Sequence, residues 1–388
     1  MRKTLSFVAL SLLLATPVPA SAFEVSGWIP YWQDTLGLKS ATKNIGDLDI
    51  VYPFVFTVRN DGSLSEQANL DESKWKKFLR IADKNNVDVM PTVMWSDGAA
   101  IHAVLSSSDK RESHIEAIVE MVEDGDFAGV NIDYEAKLAE TKDYFSRFLE
   151  GLKKELDGAQ LSCTIEARTP PDSRWRTVPA VIEYSNDYEA MAEHCDFVEI
   201  MAYDQQRADL KLNDAKKGEP YIPVADTDWV EKVLKLALED IPAEKIMLGV
   251  PTYGRQWTLT VAPEWFKEYK SVGAINLPDA KELAGDYKVK VGRNSAGEAS
   301  YSFFPEISVY KILNSLPTPT GTKTGFEAAA KALLFANMTK MEVPVNIVWY
   351  SDAEAIKDKI ELVEKYGLKG IAIFKIDGEE DSKIWKLF

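Results

Sequence analysis

"AGVNIDYEA" (128–136) is a stretch that sequence alone assigns to a buried β-strand, with one irregularity. Successive side chains on a strand alternate between faces. Asn131, Asp133 and Glu135 therefore share one face, and Ile132 and Tyr134 share the other. A strand buried on both sides has no casual use for two carboxylates, because an unpartnered buried acid is costly.

The segments around it set the fold. Eight short runs rich in β-branched and aromatic residues punctuate the chain: 24–32, 49–58, 87–95, 127–135, 159–167, 196–204, 246–254 and 369–377. Between most of them lie helical patterns. "DESKWKKFLRIADKN" (71–85) carries Trp75, Phe78, Leu79 and Ile81 at helical spacing, and 141–156 and 226–240 behave alike. Nearly all-apolar strands, each followed by a helix, predict a parallel sheet covered on its outer face. Eight such units predict an α/β fold, a (β/α)8 TIM barrel. The surplus over one barrel's length falls at 258–345. There "YKVKVGRNSAGEASYSFF" predicts a hairpin turning at Asn294–Gly297, and "GFEAAAKALLFANMTKM" predicts a helix. We read this as a small α+β insertion between strands 7 and 8, on the barrel's top rim, inside one catalytic domain spanning 23–388.

In a barrel the Asn131–Asp133–Glu135 face points inward, and its carboxyl end opens at the mouth, where such barrels keep their sites. Residues two apart on a strand are separated by roughly 6.5–7 Å. Two acids projecting from one side cannot flank a bond from opposite faces. One acid that moves a proton, beside a neighbour that orients something, suits the spacing better. The enclosed mouth and the like charge raise the pKa of one of them, keeping a proton available.

Composition narrows the partners. Residues 1–22 have a basic start (Arg2, Lys3), an apolar run too short to span a bilayer, and the ending Ala20-Ser21-Ala22. This is the pattern of a secretory signal peptide, cleaved after Ala22. The mature protein is then expected outside the cytoplasm, with no membrane insertion. Cleavage takes the formal charge from −16 to −18. Such a chain repels nucleic acid and anionic surfaces, so a neutral substrate is expected. Cys163 and Cys195 lie in or beside strands. Export permits a disulfide, but buried free thiols are the default reading. His102, His114 and His194 are scattered without metal-ligand spacing, and no metal or cofactor is expected.

The motifs resemble glycoside hydrolase family 18, the chitinase-like hydrolases. "GVNIDYE" is similar to that family's D-G-x-D-x-D-x-E, "EIMAYD" (199–204) to its M-x-Y-D, and "GVPTYGRQW" (249–257) to its G-x-P-x-Y-G-R. The opening "VSGWIPYW" and the run 348–374 fit as well, so the likeness covers nearly the whole mature chain in order. The forms N-I-D-Y-E and "KIDGEED" resemble the branch that includes spore-cortex-lytic enzymes. The resemblance implies a glycosidase acting on β-1,4-linked N-acetylglucosamine polysaccharide: chitin, chito-oligosaccharides or peptidoglycan. With the leader pattern it is expected to be secreted, and a monomer is expected. It implies retaining, substrate-assisted catalysis, in which the substrate's acetamido oxygen is the nucleophile. Glu135 would be the acid, Asp133 would hold the acetamido N–H, and Tyr203 would bond the acetamido oxygen. Asp204 would line the same subsite, and Asn131, Tyr253, Arg255, Trp28 and Phe374 are further candidates for substrate contact. A structural ion pair is an equal reading for Arg255. The alternative function is a non-catalytic glycan-binding lectin of the same fold.

Three positions depart from the family pattern. Ala128 replaces its first Asp, Asn131 its middle Asp, and Phe374 a Trp. Asn131 can donate a hydrogen bond to Asp133, so Asp133 is expected to stay ionised over a wider pH range. Among the tryptophans, Trp75, Trp229 and Trp385 lie on helical patterns and read as packing. Trp28, Trp32, Trp95, Trp257 and Trp349 lie near strand ends, where cleft and core roles are equally open.

Overall fold

Eight parallel strands close on themselves in the computed structural model of the chain, which describes residues 23–306 and 311–388. The first seven are β1 (Glu24–Pro30), β2 (Ile50–Val58), β3 (Thr92–Trp95), β4 (Gly129–Tyr134), β5 (Gln160–Glu166), β6 (Phe197–Met201) and β7 (Ile246–Pro251). After the insertion strands β8 (Gly254–Ala262), β9 (Trp265–Ile275), β10 (Gly292–Arg293), β11 (Ala299–Phe303) and β12 (Val343–Tyr350), β13 (Gly370–Phe374) completes the barrel. Strand β1 pairs in parallel with both β2 and β13, which seals the ring. The predicted leader lies outside the described residues. Among those residues, no helix is long and apolar enough to cross a membrane.

The third segment departs from the expected continuous strand. It splits into a short Asp88–Val89 pairing with β2 and then β3, and the register shifts between Phe54 and Phe56. Pro91 sits at the break. It has no N–H to give the ladder, while its carbonyl still accepts from Asn131 N at 3.0 Å.

Packing fixes β4 from outside. Tyr134 is fully buried, stacked on Phe148 with centroids 5.5 Å apart and flanked by Trp95 and Phe145. Its hydroxyl meets His114 Nε2, and His114 Nδ1 donates to Gly62 O at 2.6 Å. Both ring nitrogens are thus used by the neutral imidazole. Burial pushes the His114 pKa down to about 4, against the Gly62 hydrogen bond, which favours the charged form. The unfolded chain takes up this proton near pH 6.5, while the folded protein refuses it until about 4. Stability therefore falls as pH drops through that window and levels off below it, by at most about 3 kcal/mol. Urea midpoints measured from pH 7 to 4 should show this loss, and His114→Gln should flatten it.

The insertion is a five-stranded antiparallel sheet, ordered β9-β8-β12-β11-β10. The predicted hairpin is present: Asn294 N donates to Glu298 O at 2.9 Å, and Gly297 takes φ 79°. The predicted helix runs Glu327–Thr339. The sheet reaches beyond 258–345 at both ends, because the strands leaving and re-entering the barrel pair with each other, Gly254 opposite Tyr350.

The free-thiol reading of the cysteines is corrected. Cys163 and Cys195 form a disulfide, with Cα atoms 6.1 Å apart. Cys163 on β5 stands in register with Val198 on β6, three residues beyond Cys195. Neighbouring parallel strands bring the two sulfurs together, a relation that sequence spacing does not display.

Candidate active site

The barrel mouth opens into a cleft of about 1080 Å³. Its floor is aromatic. Trp28 at the end of β1 is 5.9 Å from Phe374 at the end of β13, and Phe374 stacks on Tyr203, with centroids 5.5 Å apart and planes 16° apart. Gly249 on β7 lies against this stack: a Cβ there would lie 2.5 Å from Ile200 O and 3.2 Å from Tyr203 Cε1. The exposed ring of Trp32 continues the wall outward, edge-on to Phe54.

Asp133 and Glu135 both line this cleft. Asp133 is 4% exposed, and its Oδ1 is buried with no hydrogen-bond partner among the described residues. Burial first, and the Glu135 charge second, push its carboxyl well above the usual carboxylate range. Burial, then the charge of Glu166, raises Glu135 as well. Both acids are raised, where the sequence suggested one. Buried Lys137 pulls both the other way. Its ammonium donates to the Tyr134 carbonyl and lies 4.6 Å from the Phe145 centroid. Glu135 is anchored by its own N–H, which donates to Trp95 O at 2.8 Å. The next residue, Ala136, takes φ 54°, and its N–H donates to Glu166 Oε1 at 3.1 Å. A left-handed alanine is uncommon away from functional turns; here the turn aims Glu135 into the cleft.

Tyr203 has no hydrogen-bond partner for its hydroxyl among the described residues, and burial raises its pKa well above the ordinary value, so it remains a donor. Asp204 follows in a left-handed turn, φ 53°. Both its oxygens are engaged. Oδ1 accepts from Arg255 Nε at 2.7 Å, and Oδ2 accepts from Arg255 Nη2 at 2.5 Å and from the Tyr253 hydroxyl at 2.9 Å. Arg255 makes the structural ion pair and also lines the cleft. The pair ties the first insertion strand to the end of β6.

Asn131 departs from expectation. Its amide does not donate to Asp133 but to hydroxyls of the adjacent strand: Ser162 Oγ at 2.7 Å and Thr164 Oγ1 at 2.9 Å, with Glu199 Oε2 at 3.3 Å. Its carbonyl accepts from Thr92 Oγ1 at 2.9 Å and from Trp28 Nε1 at 3.3 Å. Asn131 stands in register with Ser162, so these groups are its nearest inward neighbours. The expectation of a widely ionised Asp133 falls with that bond, because a buried carboxylate with an unpartnered oxygen is disfavoured.

The opposite wall rises from the ends of β5 and β6, and sequence reading did not find it. Arg168 is sandwiched between the rings of Tyr184 and Tyr188, at 3.5 and 4.0 Å, and donates to Asn186 O. Arg174 and Arg207 are exposed on the same wall, with Trp175 beside them. Trp229 is buried, as packing requires, with its indole N–H on Thr169 Oγ1 at 2.8 Å. Trp75 and Trp385 are likewise buried. Of the strand-end tryptophans, Trp28 and Trp32 line the cleft, whereas Trp95, Trp257 and Trp349 are buried away from it. Glu199 was also missed. Its signal was available: it shares the inward parity of Tyr203 along "FVEIMAYD".

A closed parallel barrel with acids at the exit of its fourth strand and an aromatic floor belongs among the carbohydrate-active barrels. The profile of Glycosyl hydrolases family 18 matches residues 28–379, and the chain belongs to that family. It is a glycoside hydrolase that acts on glycans. An uncharacterized glycosylase of Bacillus subtilis, YvbX, is 22% identical over 360 residues, covering 91% of this chain and 87% of the relative. A cortical fragment-lytic enzyme of Bacillus anthracis is 24% identical over 359 residues, covering 90% and 70%. Among solved structures, a class V chitinase of Pseudomonas fluorescens superposes with a TM-score of 0.70 at 20% identity, covering 94% of this chain and 98% of that one. The spore cortex-lytic enzyme SleL of Bacillus cereus superposes with a TM-score of 0.66 at 22% identity, covering 94% and 73%.

Proposed function

We propose that the protein is a secreted retaining glycosidase that cleaves β-1,4-linked N-acetylglucosamine glycans with the help of the substrate's own acetamido group. The observation that carries this is the unpartnered, buried Oδ1 of Asp133 in a cleft that Glu135 and Tyr203 also line. An acetamido N–H supplies the missing donor to Asp133, and Tyr203 donates to the acetamido oxygen. Binding that N–H favours the Asp133 anion, so the proton held by the pair moves to Glu135. Glu135 then protonates the glycosidic oxygen. The C1–O bond breaks as the acetamido oxygen bonds to C1, and the positive charge of the bicyclic intermediate sits against Asp133. Water attacks C1 and gives its proton to Glu135, which regenerates the sugar with retained configuration. Asp204 serves by holding Arg255 and Tyr253. Fixed orientation of the internal nucleophile is the main source of rate. The predicted leader and the Cys163–Cys195 disulfide support export.

Among glycans of this class, the wall bearing Arg174 and Arg207 favours one that carries carboxylates, as peptidoglycan does. This offsets the overall negative charge of the chain. The test is turnover of N-acetylglucosamine oligomers and of purified peptidoglycan, with the product anomer read by NMR. Retained configuration is expected, with no cleavage where the sugar at the scission point is de-N-acetylated. Inversion, or equal cleavage of the free amine, would overturn the reading.

A further inference from the structure

The barrel interior beneath the cleft holds a carboxyl that the reaction above does not use. Glu199 on β6 is fully buried. Tyr52 on β2 donates to its Oε1 at 2.6 Å, and Asn131 on β4 donates to its Oε2 at 3.3 Å. Asn131 in turn joins Ser162 and Thr164 on β5, Thr92 on β3 and the Trp28 indole on β1. Five of the eight strands thus meet Glu199 directly or through one amide. A buried carboxyl is expensive and persists where something requires it. At the position where the resemblance places a carboxyl on the fourth strand, this chain has an amide, and that amide reaches the carboxyl supplied by the sixth.

We propose that Glu199 is a positioning residue of this glycosidase: it returns to the barrel the carboxyl that Asn131 lacks, and by its charge under Asp133 sets how tightly the Asp133–Glu135 pair keeps its proton. This rests on the function proposed above. The titratable groups facing Glu199 are Tyr52 from β2, Asp133 from β4 and Lys369 just before β13; β7 presents Met247 opposite it. Burial raises Glu199 to about 7, against the hydrogen bonds of Tyr52 and Ser162. Tyr52 stays protonated, and Lys369 is paired with Glu24 at 2.6 Å. Near neutral pH the charge that changes beneath Asp133 is therefore that of Glu199. An anionic Glu199 repels the Asp133 anion, so the pair releases its proton at higher pH, and activity extends further into the alkaline range.

The test is the pH profile of kcat on an N-acetylglucosamine oligomer. Wild-type turnover comes first, since its absence would defeat the proposed function and not this inference. Glu199→Gln keeps the shape and removes the charge. Its alkaline limb should move down by about 0.5–1 pH unit, with KM unchanged. The exchange Asn131→Asp/Glu199→Gln keeps one buried carboxyl, moved by one neighbour, and should bring the limb back. A limb unmoved in Glu199→Gln, with only a lower plateau or lower melting temperature, would overturn the proposal. If Glu199→Gln fails to fold, the exchange variant decides: a folded enzyme with a near wild-type limb supports it. Failure of both to fold assigns Glu199 to the core alone and overturns it.

Discussion

Glu135→Gln should lower kcat by about 10²–10⁴-fold, the share a positioned general acid supplies, while the affinity for an N-acetylglucosamine oligomer is kept. The amide preserves the side chain's shape and the Glu135 N–H bond to Trp95, but holds no proton to give the leaving oxygen. It also removes the charge that helps raise Asp133, so the remaining acid ionises at lower pH. Stopped assays with parallel calorimetry separate the two quantities. Unchanged turnover would remove Glu135 from the reaction. Lost binding together with lost turnover would point to a broken cleft.

Asp133→Asn should cost about 10²–10³-fold in kcat, the scale for losing one preorganised electrostatic contact to a developing charge. The amide oxygen still accepts the acetamido N–H, so KM should change little. What is lost is the negative charge facing the intermediate. The pH profile gives a second reading. In the substrate complex, where the acetamido N–H favours the Asp133 anion, the substitution takes one anion away from Glu135, whose carboxyl is already held up by burial and by Glu166 and Asp204. Its pKa falls, so protonated Glu135 is lost at lower pH and the alkaline limb moves toward acid. A drop in rate with the limb unmoved would detach Asp133 from the proton economy of the pair.

The barrel was legible because its strands are short, apolar and spaced by helices, a pattern each segment carries locally. The acids were legible for the same reason: period-two alternation places Asp133 and Glu135 on one face without knowledge of any other strand. Glu199 carried the same signal but sat within a run otherwise indistinguishable from core. Parity also separates Trp95 from Thr92 and Met94 and sends it outward, although its strand-end position resembles that of Trp28. What could not be read was convergence. Arg168, Arg174 and Arg207 lie on two loops whose approach depends on how β5 and β6 end. The Cys163–Cys195 bond depends on a register between strands, and Asn131 chose hydroxyls on β5 over Asp133 for the same reason. The position of the insertion was visible as surplus length. Its true edges were not, because they are set by pairing between strands far apart in sequence.

The closure of the ring has a consequence for the order in which the enzyme becomes active. Trp28 comes from the first strand and Phe374 from the last, and the seam between them includes Ser26 bonding Ile371 across 345 residues. A ribosome that has delivered Asp133, Glu135 and Tyr203 has not yet delivered the floor against which the sugar would lie. The nascent chain therefore holds its acids without a cleft, and competence arrives with the final strand. Hydrolytic activity is withheld by topology until the last strand of the barrel has been made.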